Sequence, residues 1–372
     1  MNTIEDLRAA LDYAAAPARP DTAAIIARGR RRRFRRRAAV GGGIVAVVTA
    51  VVAVNPWTVD TADVPPLHGS APTGVLVAAL TAQPYEAPER FDPLTRTLHI
   101  GWVPDGLTDE QAVIEPTAQT FGGFDEEWED GGKDFGLVVK VLAKGQPVSA
   151  LAGGALGMPT DPVERPTDAV NGRPAVCLSD PAVSGSCGAL RWEYAPEAWA
   201  RVSYAGSRGH TPAAAAAVVR RVAESVRLTA AEPVRLPFTL TGPTADLHAA
   251  STLVRITKPG RPGRDGERWS AQIILVDDPA EADGSYGEAR QLVIGVRRTT
   301  DPSGRTSRDA APNTMVDDHE ARHSGAALVV WNVSGTRVFT EYQNWNADPT
   351  SAYADLRVLA DPADPAGWRT VR

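Results

Sequence analysis

The chain has few of the residues that build reactive or cross-linked sites. It contains two cysteines and six histidines in 372 residues. It also has no Gly-x-Ser-x-Gly motif, no phosphate-binding P-loop and no dinucleotide-binding glycine pattern. The sequence therefore predicts no cofactor and no catalytic residues, and we expect a protein that is not an enzyme.

Basic charge is concentrated in one short segment and scarce elsewhere. Residues 1–37 hold ten arginines and four acidic residues, a net charge of +6. Because the whole chain carries −6, the remainder carries −12. A surface of that sign repels phosphate groups, so the sequence predicts no nucleic-acid partner.

Long apolar runs are also scarce, with one exception directly after the arginines. Residues 38–54 are 17 uncharged Ala, Gly, Val, Ile and Thr residues, and Trp57 follows shortly after them. A helix needs roughly 20 apolar residues to cross a bilayer, and flanking arginines stay on the cytoplasmic side. We expect a transmembrane helix at residues 38–57, with the lipid bilayer as its partner. The expected localisation is the cell membrane, single-pass, with the N-terminus cytoplasmic and the bulk of the chain extracellular.

Three other interpretations of this run stay open. A cleavable secretory signal has a shorter leader than the 37 residues found here. A twin-arginine export signal would use Arg31-Arg32-Arg33-Phe34, but so dense an arginine block matches that pattern by chance. A buried helix of a soluble domain is disfavoured by three consecutive glycines at 41–43.

Changes in amino-acid composition along the chain predict five segments. They are a basic cytoplasmic tail (1–37), the transmembrane helix (38–57), a proline-rich linker (58–90) and two extracytoplasmic repeats (91–230 and 231–372). The repeats rest on equivalent residues at nearly constant offset, such as Pro104 with Pro243 and Trp192 with Trp331, both 139 apart. Each repeat is expected to be an antiparallel sheet closed by a helix, at 213–226 and 351–359. The predicted fold class is therefore α+β, with one N-terminal transmembrane helix and two tandem repeats of sheet plus C-terminal helix.

Several of these motifs resemble those of known extracytoplasmic domains. A strand ending at Pro104-Asp105-Gly106, the Val170-x-Gly172-x-x-Ala175 pattern and the helical pattern at 213–226 resemble Mog1/PsbP-like or lipoprotein-sorting-type extracytoplasmic domains. The layout also resembles single-pass membrane proteins of high-GC Gram-positive bacteria. The resemblance implies binding, chaperoning or sensing without catalytic residues. The second repeat departs from the pattern because Asp318 stands where the first has Gly172.

Cys177 and Cys187 flank a segment of Ser, Pro and Gly between two predicted strands. Outside a reducing compartment such a pair predicts a disulfide that clamps a hairpin loop, and a loop of this size stabilises a fold by about 2–3 kcal/mol. A metal site with these two cysteines would need further ligands, which are not nearby in sequence.

The sequence His319-Glu320-Ala321-Arg322-His323 matches the zinc-peptidase motif His-Glu-x-x-His. On a helix it would place both histidines on one face, with Glu341 as a candidate third ligand. However, Ser324-Gly325 would stop such a helix, and the repeat places the motif on a strand. The sequence therefore predicts no metal, with a membrane-anchored zinc hydrolase using His319, Glu320 and His323 as the alternative function.

The acidic stretch 122–132 would suit a calcium ion through its carboxylates or be a solvated turn, and 258–268 is expected to be a loop. The leading hypothesis is a membrane-anchored extracytoplasmic binding or sensory module, accessory to sigma-factor or cell-envelope signalling. Its ligand or protein partner is not identified by any motif. A short amphipathic pattern, Ile4, Leu7 and Leu11, would let the inner tail bind a partner.

Overall fold

The structure is a computed structural model. It describes residues 86–124, 136–151, 162–180, 187–205, 211–258, 266–280, 289–301, 303–306 and 309–372.

Strands dominate this part of the chain, which holds eighteen of them and two α-helices. The strands are β1 (Thr95–Ile100), β2 (Asp109–Glu115), β3 (Ala118–Phe124), β4 (Gly136–Leu142), β5 (Val163–Val170), β6 (Arg173–Ser179), β7 (Ala189–Ala195), β8 (Ala198–Ala205), β9 (Val226–Pro233), β10 (Phe238–Leu240), β11 (His248–Thr257), β12 (Glu267–Val276), β13 (Gln291–Thr299), β14 (Thr314–Val316), β15 (His319–Ser324), β16 (Ala327–Val333), β17 (Thr336–Gln343) and β18 (Leu356–Val358). The helices are α1 (Pro212–Ser225) and α2 (Pro349–Ala354), and short 3-10 turns lie at Val148–Leu151, Gly242–Asp246 and Pro365–Gly367.

Fourteen strands form one antiparallel sheet in the order β14-β15-β16-β17-β13-β12-β11-β2-β3-β4-β8-β7-β6-β5. We call the pair β2 and β11 the seam, because it joins the strands of the first half of this sheet to those of the second. From the seam outward, each half has the same strand order. Three strands in chain order (β2-β3-β4 and β11-β12-β13) are followed by four strands in reverse order (β8-β7-β6-β5 and β17-β16-β15-β14). Outside the main sheet, β1 pairs with β9 and β10 pairs with β18.

The predicted fold class is therefore wrong. The described part of the chain is mostly β, and its main sheet runs through both halves instead of forming two separate repeats of sheet plus helix. The physical reason is that β2 and β11 would each be an edge strand with unpaired backbone N–H and C=O groups. Pairing with each other gives these groups hydrogen-bond partners. The domain boundaries at 91–230 and 231–372 stay a prediction; residues 230 and 231 both lie inside β9.

Tight turns set the register of the hairpins. Asn171 and Gly172 join β5 to β6 with φ of 50° and 79°, and Asp317 and Asp318 join β14 to β15 with φ of 47° and 64°. Two-residue hairpin turns with positive φ at both positions match the right-handed twist of the strands, and Asn, Asp and Gly adopt this conformation at low cost. Asp318 thus takes the left-handed conformation of its counterpart Gly172.

One face of the sheet carries the two larger hydrophobic cores. Directly paired residues of neighbouring strands point to the same face of the sheet. The paired residues on this face, in order across the sheet, are Val202, Val139, Phe121, Ala112, Val254, Ala271, Val296 and Val338. In the first half α1 covers this face with Val219, Val222 and Ala223. In the second half the shorter α2 and the C-terminal residues Trp368 and Val371 cover it.

The first helix begins as the sequence indicates, whereas the second begins two residues before the predicted start, at Pro349, and ends early, at Ala354. The hydroxyl of Thr211 accepts a hydrogen bond from the Ala214 amide at 3.1 Å, and Pro212 takes the first helical position. The helix predicted at 351–359 is wrong over its second half. Leu356 and Val358 instead form β18, because they pair with Leu240 and Phe238 of β10.

No helix in the described residues is long and apolar enough to cross a membrane. The span predicted at 38–57 lies outside these residues, as do the tail at 1–37 and most of the linker at 58–90. The prediction of a single-pass membrane protein is therefore corrected. The described structure supports neither that localisation nor the predicted contact with the bilayer.

Candidate functional site

The seam brings together residues that are far apart in sequence. In its register Ile114 pairs with Thr252, and Ala112 pairs with Val254. All four side chains lie on the core face, at the boundary between the cover of the first half and that of the second. Neither α1 nor α2 reaches this boundary with a side chain that lines it.

A cavity of about 430 Å³ lies above these four residues. Its volume is within the range of roughly 300–1,000 Å³ typical of small-molecule sites. The walls are largely apolar. The lining residues are Arg96, Ala112, Ile114, Glu232, Pro233, Val234, Arg235, Thr252, Val254, Pro365, Ala366, Trp368 and Thr370.

The C-terminal segment forms one wall of the cavity and is held by several contacts. The amides and carbonyls of Leu236 and Arg369 exchange hydrogen bonds of 2.7 and 3.1 Å. Trp368 is 3% exposed, meets the Trp269 ring edge-on at a centroid distance of 5.2 Å and donates its indole N–H to the Pro362 carbonyl. These contacts fix a rigid aromatic surface beside the cavity.

Five polar side chains line the cavity, and one of them, the Thr370 hydroxyl, donates a hydrogen bond to the Arg372 carbonyl at 2.9 Å. Arg96 pairs with Glu232 at 3.1 Å, so these two charges balance each other. Arg235 is exposed and has no ion-pair partner in the described part of the chain. Thr252 is 1% exposed, and its hydroxyl oxygen has no hydrogen-bond partner among the described residues. This oxygen has almost no accessible surface, so the polar groups that a ligand in the cavity can reach are the charged side chains.

The opposite face of the seam carries a row of charges in which two buried carboxylates lie beside two half-buried arginines. Arg255 on β11 pairs with Asp109 on β2 and lies 3.6 Å from Glu267 on β12. Glu267 also pairs with Arg297 at 3.3 Å. Burial lowers the pKa of Arg255, but attraction to Glu267 and Asp109 outweighs burial and raises that pKa above its usual value. The row links the two halves of the sheet through side chains as well as backbone.

Cys177 on β6 and Cys187, just before β7, form a disulfide with their Cα atoms 5.5 Å apart. The Cys177 side chain packs in the core of the first half. The strand that carries Cys177 lies away from the seam, since β6 is separated from β2 by four strands.

The His-Glu-x-x-His motif lies on strand β15. Glu320 forms an ion pair with Arg305. His323 shares a face with Leu328 and Thr340, so Glu341, the next residue of β17, points to the other face. In the described part of the chain, no three His, Cys, Asp or Glu side chains lie close enough to hold a metal ion. The zinc hydrolase alternative therefore gains no support from the geometry.

Two other candidate regions fall largely outside the described residues, namely most of the acidic stretch at 122–132 and most of the loop at 258–268. The lining residues of the cavity were not identified from the sequence. Ala112, Ile114, Thr252 and Val254 look like ordinary strand residues, and only edge-to-edge pairing of β2 with β11 brings them together.

Comparison with known proteins gives no family. No family model matches the chain, and no curated protein matches it. Among solved structures, the crystal structure of MucB in complex with MucA(peri) is 10% identical, with a TM-score of 0.21. The MucA/MucB complex of Pseudomonas aeruginosa is 11% identical, with a TM-score of 0.19. Both alignments cover 68% of this chain and 94% of the other. Likeness this weak supports no argument, so the resemblance to Mog1/PsbP-like or lipoprotein-sorting domains stays a prediction.

Proposed function

We propose that this protein is a non-catalytic binding module whose ligand occupies the cavity at the seam. The observation that carries the proposal is a largely apolar cavity of about 430 Å³ lined by one ion pair, Arg96 with Glu232, and by one further arginine, Arg235. Apolar walls supply affinity by removing ligand surface from water, and a few fixed polar groups supply orientation.

The construction of the site also favours binding over packing alone. Its floor is two neighbouring strands of a large sheet, and its far wall is a tryptophan fixed by a ring contact and a hydrogen bond. Rigid walls lose little conformational entropy when a ligand binds, which favours affinity.

The test uses the neutral, apolar fluorescent probe N-phenyl-1-naphthylamine. We expect it to bind wild-type protein at one site. Ala112→Phe should weaken binding by at least about tenfold, which corresponds to ~1.4 kcal/mol, because the half-buried Ala112 lines the cavity and the ring would fill it.

The matched control is Ala326→Phe, at an exposed turn between β15 and β16. It should leave probe affinity unchanged, and thermal unfolding should show both variants folded. Unchanged affinity in folded Ala112→Phe would place the probe elsewhere and contradict the proposal.

We further propose that the module serves sigma-factor or cell-envelope signalling through a protein partner. The support is the sequence pattern of Ile4, Leu7 and Leu11, which would form an apolar stripe on a helix. We expect deletion of residues 1–11 to abolish a transcriptional response without changing probe affinity. An unchanged response would leave only the binding module.

A further inference from the structure

We infer that the ligand of the seam cavity is a small organic acid, that is, one apolar molecule bearing a single anionic group. This inference rests on the proposed function, since it assigns a chemical class to the ligand of the same cavity.

The charges of the lining residues indicate the sign of the ligand's charge. Arg96 and Glu232 neutralise each other at 3.1 Å, which leaves Arg235 as the unbalanced charge among the lining residues. The cavity lining therefore carries +1, although the whole chain carries −6. An isolated positive site on an acidic protein attracts an anion and disfavours a cation by the same interaction.

Arg235 is also well placed to hold an anion. It follows Val234, whose amide donates to the Leu94 carbonyl at 2.7 Å, and it precedes Leu236, whose amide donates to Arg369. The backbone is thus fixed on both sides of the arginine, while its side chain is exposed and forms no ion pair within the described ranges. A guanidinium in this position can present two parallel N–H groups to a carboxylate, sulfonate or phosphate.

The volume of the cavity and its apolar walls indicate the size and polarity of the rest of the ligand. A volume of about 430 Å³ holds one small molecule and excludes a folded partner. Ile114, Val254 and Trp368 are buried apolar side chains that line it, so the part of the ligand beyond the anionic group is apolar.

A matched pair of fluorescent probes tests this inference. 8-Anilinonaphthalene-1-sulfonate and N-phenyl-1-naphthylamine share their rings and differ by one sulfonate. We expect the wild-type protein to bind the sulfonate more tightly than the neutral probe. Arg235→Gln should weaken the sulfonate about tenfold and leave the neutral probe within about twofold, because only the sulfonate uses the guanidinium. The control Arg173→Gln, at an arginine on β6 that does not line the cavity, should change neither affinity.

The outcomes separate the two levels of the proposal. If Arg235→Gln changes neither affinity, or both equally, the anionic class is wrong while the cavity remains a binding site. If Ala112→Phe also leaves both affinities unchanged, or wild-type protein binds neither probe, the seam cavity is not the site and both proposals fail.

Discussion

Replacing Arg255 by methionine is expected to lower the free energy of unfolding by about 3–5 kcal/mol. The Asp109 and Glu267 side chains are 9% and 7% exposed, and the substitution takes away a positive partner of both. A buried carboxylate that loses its partner keeps its desolvation cost without the compensating attraction. Urea unfolding at pH 7, followed by circular dichroism, measures the loss.

The double variant Asp109→Leu/Arg255→Met should recover part of the loss, because it removes both charges. If the double variant recovered none of the loss, packing and not charge would hold the seam.

Trp368→Ala is expected to destabilise the protein by about 3–5 kcal/mol. The side chain is 3% exposed and packs in the core of the second half. Its removal leaves a void beside Trp269 and takes away the indole hydrogen bond to Pro362. The effect is large because α2 has only six residues and leaves much of this core to the C-terminal segment. Thermal unfolding monitored by circular dichroism measures it.

Trp368→Phe serves as the control, since it keeps an aromatic ring against Trp269 and loses only the hydrogen bond and part of the volume. It should cost clearly less than Trp368→Ala. Equal and small effects for both would mean that the C-terminal segment does not contribute to the core in solution.

Local features of the fold could be predicted from the sequence because local chemistry determines them. Asn171-Gly172 is a tight-turn pair by itself, and Thr211-Pro212 followed by valines at helical spacing begins a helix. The two cysteines are ten residues apart, one on β6 and one just before β7, so the disulfide could be predicted from their spacing.

The features that the sequence did not reveal depend on non-local pairing. Nothing in β2 or β11 indicates that their edges meet, so two separate repeats were expected where one sheet exists. The seam cavity follows from that pairing and was missed with it. The early end of α2 has the same origin, because residues 356–358 pair with β10 and not with their own helix.

A crystal structure grown with 8-anilinonaphthalene-1-sulfonate tests the central claim most directly. The account predicts one probe per chain, with its rings between Ile114, Val254 and Trp368 and its sulfonate beside Arg235. It also predicts β2 paired with β11 in the observed register. A probe bound elsewhere with the cavity unoccupied, or a seam without this pairing, would contradict the account.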